Sequence, residues 1–190
     1  MTPVSGASTV WDMNHETLKA SRLRQVEHHV DFENAHDLDA VMTTFGADAS
    51  YHDEPWGEHG LGRDAVRDYY QQLMSAVPDL HIDAHGPHVA DDVVVLECTI
   101  TGTHQGTWHG LPPTGRPVTI PLCGVYTFGK DAQIAGERIY YDRAMVLEQL
   151  GVLHDPESSM GRVTTALLHP VTMTKVATRM VRARRDSDGA

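Results

Sequence analysis

The sequence has 190 residues, enough for one ordinary domain and too few for two comfortable ones. A hydrophobic content of 41% supports a real core and excludes wholesale disorder. With 15 lysines and arginines against 26 aspartates and glutamates, the net charge is -11, a surface that repels phosphate backbones and argues against nucleic acid as a partner.

Residues 1–15 are small and polar and read as a flexible extension. From Glu16 to His36 the spacing turns helical, with Leu18, Leu23, Val26, Val30 and Phe32 among charged neighbours. Asp37 is placed to cap a short second helix carrying Leu38, Val41, Met42 and Phe45, which Gly46 and Asp48 end. A strand over Ala49–Asp53 is followed by a loop from Glu54 to Gly62. A third helix over Asp64–Val77 carries Val66, Tyr69, Tyr70 and Leu73 on one side and stops at Pro78.

Four strands are expected next: Leu80–Val89, Val93–His104, Val118–Phe128 and Gln133–Asp142. They are joined by turns at Asp91-Asp92 and Gly129-Lys130-Asp131 and by the loop Gly106–Pro117. A last helix, Arg143–Leu150, closes at Gly151. This order predicts one α+β domain over 16–153, with helices on one face of a curved antiparallel sheet and a pocket between the layers. Residues 154–190 read as a C-terminal extension, partly helical and basic at its end through Lys175, Arg179, Arg182, Arg184 and Arg185. It is either a docked helix or a solvated one.

No apolar stretch approaches the roughly 20 residues needed to cross a bilayer, and the N-terminal residues lack the pattern of a secretory signal. Cys98 and Cys123 both fall in strand-like runs and read as core thiols in a reducing cytoplasm. The 13 histidines are scattered rather than paired at ligand spacing; a metal built from His52, Asp53 and His104 would draw on distant segments, so no metal is expected. Phosphate-cradling loops, dinucleotide fingerprints, G-x-S-x-G elbows and CxxC pairs are all missing, which leaves acid–base work by carboxylates, histidines and tyrosines.

In the last strand Tyr140 and Asp142 share one side, while Glu137, Ile139 and Tyr141 share the other. If Asp142 faces the pocket, desolvation makes it a usable general acid or base. The alternative is that it caps the helix starting at Arg143. His52 ends the first strand beside the loop carrying Trp56, and either lines a pocket or is a surface histidine. His104, Trp108 and His109 follow the longest strand, as wall, lid or core cover. Glu97 either faces solvent or is buried against Arg138 or Arg116.

Taken together, Asn34–Ala40, Tyr51-His52-Asp53, the run Gly102-Thr103-His104-Gln105-Gly106, the loop Gly110–Arg116, Tyr141-Asp142 and Gln149-Leu150-Gly151 resemble the SnoaL-like polyketide cyclases. The resemblance covers about Leu23 to Leu153, and the GTHxGxxxGLPPTGR pattern is its most specific part. It implies the cone fold of the nuclear-transport-factor-like superfamily and a cofactor-free, metal-free intramolecular aldol ring closure. It also implies Asp142 as acid/base and His52 lining the pocket, and these two are the expected catalytic residues. Trp56, His104, Trp108, Tyr126 and Tyr140 are the expected substrate-binding residues. The expected substrate is small and hydrophobic or aromatic, and the expected assembly is a cytoplasmic homodimer. Dehydration, isomerisation and epoxide hydrolysis on the same fold, or ligand binding without catalysis, are the rival readings.

Overall fold

The computed structural model describes residues 7–129, 132–155 and 157–188, with side chains from Glu16 to Arg184. It divides into two compact units, Met1–Leu150 and Gly151–Ala190. The turn residues Lys130 and Asp131 and the side chain of Arg185 lie outside the described residues.

The first unit opens with α1, Ala7–Asn34. It starts well before Glu16 because nothing between Ala7 and Asn34 is glycine or proline, so the backbone of 7–15 continues the helix rather than forming a separate extension. α2 (Leu38–Thr43) is capped by the Asp37 carboxylate, which accepts from the Ala40 amide at 3.0 Å. β1 (Phe45–Asp53) pairs with β2 (Glu58–Leu61), a short antiparallel strand inside the expected loop. α3 spans Arg63–Ala76. The strands β3 (His81–Val89), β4 (Val93–Thr103), β5 (Pro117–Phe128) and β6 (Ile134–Tyr141) then form a meander, and α4 (Arg143–Gln149) follows.

The six strands make one curved, unclosed sheet in the order β2-β1-β6-β5-β4-β3. All neighbours are antiparallel except β1 and β6, which run parallel because α3 and the meander intervene between them. α1 and α3 cover one face, α3 against β1 and β2, α1 against β3 and β4. Strand alternation decides what faces them. On β1 the buried residues are Phe45, Ala49, Tyr51 and Asp53; on β5 they are Val118, Ile120, Leu122, Gly124, Tyr126 and Phe128. The core between the layers includes Val26, Val41, Phe45, Val66, Tyr70, Leu80, Val94 and Ile134.

α1 meets this core with a stripe at helical spacing: Arg22, Val26, His29, Val30 and Glu33 are all buried. Three of the five are polar. That is unusual for a helix seated on a sheet and directs attention to what they face.

The second unit holds α5 (Ser159–Leu168), capped by Ser158, and α6 (Pro170–Asp188). Among the described residues no helix is long and apolar enough to cross a membrane.

Candidate active site

Between the helices and the sheet lies a cavity lined by apolar side chains such as Leu73, Ile82, Ile120 and Leu122, with Glu33, Glu137 and four tyrosines supplying the polar groups. It is a narrow cavity of about 610 Å³, part of it open to solvent. A slot of this kind suits a slender, mainly apolar ligand gripped by a few polar groups.

Glu137 sits in the middle of β6, level with Tyr51 on β1 and Tyr126 on β5. Its carboxylate accepts the Tyr70 hydroxyl at 2.5 Å. The Tyr70 oxygen is 2.9 Å from His29 Nε2, and His29 Nδ1 is 2.9 Å from Thr44 Oγ1. The Thr44 hydroxyl donates to the Val41 carbonyl at 2.6 Å, so it must accept from Nδ1–H. The Tyr70 hydrogen is committed to Glu137, so the Tyr70 oxygen accepts from Nε2–H. Both ring nitrogens therefore donate, and His29 is an imidazolium. Burial alone would lower the His29 pKa, but Glu33 and Glu137 outweigh it and raise it.

The His29 Nε2 atom lies 3.4 Å from Glu33 and 3.5 Å from Glu137. Burial, reinforced by the charge of Glu137 and opposed by His29, lifts Glu33 to about 8. With its pKa lifted to about 8, Glu33 is mostly the protonated acid at neutral pH, beside the His29–Glu137 contact. The cavity wall thus presents two carboxyl groups, of which burial holds Glu33 as the acid.

A second polar cluster lies further along the strands. Asp53, at the end of β1 and fully buried, accepts from the Tyr69 hydroxyl at 2.8 Å, the Tyr141 hydroxyl at 3.1 Å and the Trp56 amide at 3.2 Å. Burial raises its pKa despite those bonds and despite the nearby His109. Tyr69 and Tyr141 line the cavity, so Asp53 fixes their hydroxyls and leaves oxygen lone pairs to face a ligand. Cys98 also lines the cavity; burial pushes its thiol up to about 12, which removes it as a thiolate nucleophile.

The model of the SnoaL-like polyketide cyclase family matches residues 24–150. The chain belongs to this family. No curated protein matches significantly. Among solved structures, AclR from Streptomyces galilaeus is 24% identical, with a TM-score of 0.62 over 72% of this chain and 99% of its own. A SnoaL-like protein from Jannaschia sp. CCS1 is 20% identical, with a TM-score of 0.66 over 72% and 96% of the two chains. SalBIII, an epoxide hydrolase/cyclase-like enzyme of pyran ring formation in the polyether salinomycin, is 22% identical, with a TM-score of 0.56 over 64% and 91%. At these identities the three share the family's fold.

Of the residues expected at the site, Trp108 and Tyr126 line the cavity. The others do not, and for Tyr140 and His52 the pleat explains why. Glu137, Ile139 and Tyr141 take the inner face of β6, which sends Tyr140 to the outer face, where it is 43% exposed. Asp142 is exposed beyond the strand end, and its carboxylate caps α4 by accepting from the Ala144 and Met145 amides at 2.8 and 3.2 Å. His52 alternates with Tyr51 and Asp53 and so lies on the outer face against His59. Burial, with His59 and Arg138, lowers its pKa.

His104 is wholly buried; its Nδ1 meets Thr114 Oγ1 at 3.1 Å, tying the 104–116 loop together rather than reaching the cavity. Trp56 stacks on His109 with ring centroids 4.0 Å apart and stands behind Asp53. Glu97 faces solvent. The set His52, Asp53 and His104 does not converge, since Asp53 faces inward and His52 outward.

Proposed function

We propose that this chain is an enzyme that closes a ring in a small, mainly apolar molecule by paired acid–base catalysis in the cavity, with Glu33 as general acid and Glu137 as general base. The observation that carries the reading is the pair of carboxyl groups lining one apolar cavity, 3.4 and 3.5 Å from His29 Nε2, with Glu33 lifted by burial to about 8.

In an aldol closure, Glu137 removes a proton α to a carbonyl and the resulting enolate carbon bonds to a second carbonyl carbon. The oxygen of that carbonyl then takes the Glu33 proton. The net change is one proton moved from Glu33 to Glu137, and exchange with solvent restores both. The His29 charge steadies the enolate as it forms. Holding a flexible chain folded in a narrow slot supplies proximity, and proton transfer adds roughly 10²–10⁴-fold. The scheme needs no cofactor. Asp53, through Tyr69 and Tyr141, orients the far end of the substrate.

One feature favours a second reading, epoxide opening by an internal hydroxyl. A neutral acid beside a carboxylate is what that reaction needs: Glu137 takes the hydroxyl proton as the oxygen attacks, the epoxide C–O bond breaks, and Glu33 protonates the leaving oxygen. SalBIII, with the same fold, is described as an epoxide hydrolase/cyclase-like enzyme in pyran ring formation. A substrate panel decides between them. Wild type, Glu33→Gln and Glu137→Gln are incubated with poly-β-carbonyl esters and with hydroxy-epoxides, and products are read by mass spectrometry and NMR. Turnover of one class that is lost in both variants supports the reading and names the electrophile. Turnover that survives in both variants overturns it.

A further inference from the structure

On the outer face of the β1–β2 hairpin three side chains converge that the cavity chemistry does not use. His52 and His59 are directly opposite in the antiparallel register, with ring centroids 4.6 Å apart. Glu54, two residues beyond His52, reaches the same place. One potential ligand atom from each of the three lies within 4.8 Å of the others, and no other His, Cys, Asp or Glu group of three among the described residues comes so close. His52 Nδ1 is shielded from solvent without a hydrogen-bond partner, a cost that coordination would relieve. We infer that His52, Glu54 and His59 form a site for one divalent transition-metal ion that clips β1 to β2.

The donor set decides the class of ion. Two imidazoles and one carboxylate suit zinc, cobalt, nickel or copper, whereas magnesium and calcium want oxygen ligands. Tetrahedral zinc, with bonds of about 2.0–2.1 Å, places its ligand atoms about 3.3 Å apart, so the three groups must draw inward. His59 is exposed and can supply that movement; His52 and Glu54, both half-buried, set the frame. Three protein ligands leave a fourth position for water or for a group from another molecule. Arg138 competes, because its Nε pairs with Glu54 at 3.2 Å. The overall charge of -11 favours the cation. The site is separate from Glu33 and Glu137, so it stands whether or not the acid–base reading does.

The test uses the full chain without a histidine tag, stripped by chelator and titrated with Co²⁺ while visible absorption is recorded. Zn²⁺ is then followed by calorimetry and by displacement of the cobalt. The expected result is one ion per chain, with intense bands of low-coordinate cobalt that zinc abolishes. His52→Gln and His59→Gln each weaken binding by about tenfold or more, His88→Gln on β3 leaves it unchanged, and Arg138→Gln tightens it. His59 is exposed, so its variant stays folded, which circular dichroism checks. Absence of cobalt bands at micromolar protein, or equal affinity in the double variant of His52 and His59, overturns the inference.

Discussion

Glu33 of α1 and Glu137 of β6 both approach one nitrogen of His29, its Nε2 lying 3.4 Å from the first and 3.5 Å from the second. The two variants should therefore behave differently. Glu33→Gln keeps a neutral hydrogen-bonding group, so it stays folded while kcat falls about 10²–10⁴-fold. Glu137→Gln leaves His29 charged without its partner, and costs about 3–5 kcal/mol of stability besides the loss of turnover. Chemical denaturation beside single-turnover kinetics separates the two effects.

Stability should fall as pH rises across the neutral range. Glu33 is lifted from 4.5 to about 8 by burial, so the folded state binds a proton that the unfolded state has released. That stabilising contribution is complete below about 4.5 and is lost as pH climbs through about 8. The raised pKa of His29 acts in the same direction. The slope from Glu33 alone is at most about 1.4 kcal/mol per pH unit. Melting temperatures between pH 5 and 9 should decline in wild type and decline less in Glu33→Gln. Turnover should fall on the alkaline side as Glu33 loses its proton.

Asp142 separates a capping role from a catalytic one. Its carboxylate holds two amides at the start of α4, and asparagine caps nearly as well. Asp142→Asn should leave both stability and kcat close to wild type, and Asp142→Ala should cost about 1 kcal/mol with kcat retained. Loss of turnover in the folded Asn variant would put Asp142 into the chemistry and displace the assignment made here.

Gly106 tests the packing of the loop that carries Trp108. A Cβ there would meet the Ser75 carbonyl oxygen at 2.2 Å and the Ser75 carbonyl carbon at 2.8 Å, backbone atoms that no rotamer can move. Gly106→Ala should destabilise by about 1–3 kcal/mol and loosen the Trp108 wall, so KM rises with it. Gly57 has open space around it, so a substitution there is opposed by its φ of 67° rather than by a clash.

The fold was legible because periodicity and punctuation agree: the Asp37 cap, the stop at Pro78, the long β-branched strands and Gly151 each mark a boundary that the structure keeps. The short β2 escaped, since Glu58–Leu61 has no β-branched residue and is defined only by its partner. The site was harder to read. Scoring α1 by its apolar residues alone passes over Arg22, His29 and Glu33, which follow the same helical spacing as Val26 and Val30; the His29–Glu33 pair, four residues apart, was the available signal. On β6 the alternation was evident, but only the sheet reveals which side is inner. Asp53 gave less warning, because a carboxylate closing a strand looks like a turn residue until Tyr69 and Tyr141 are folded onto it.

The most direct test of the acid–base pair needs no substrate. Carboxyl ¹³C NMR of the glutamate-labelled protein, with the Glu33 signal assigned by its loss in Glu33→Gln, follows that group through a pH titration. A midpoint near 8 is the predicted result and makes Glu33 the neutral acid of the cavity. A midpoint near the ordinary 4.5 would mean that Glu33 is ionised at neutral pH and cannot serve as the acid, and would contradict the account.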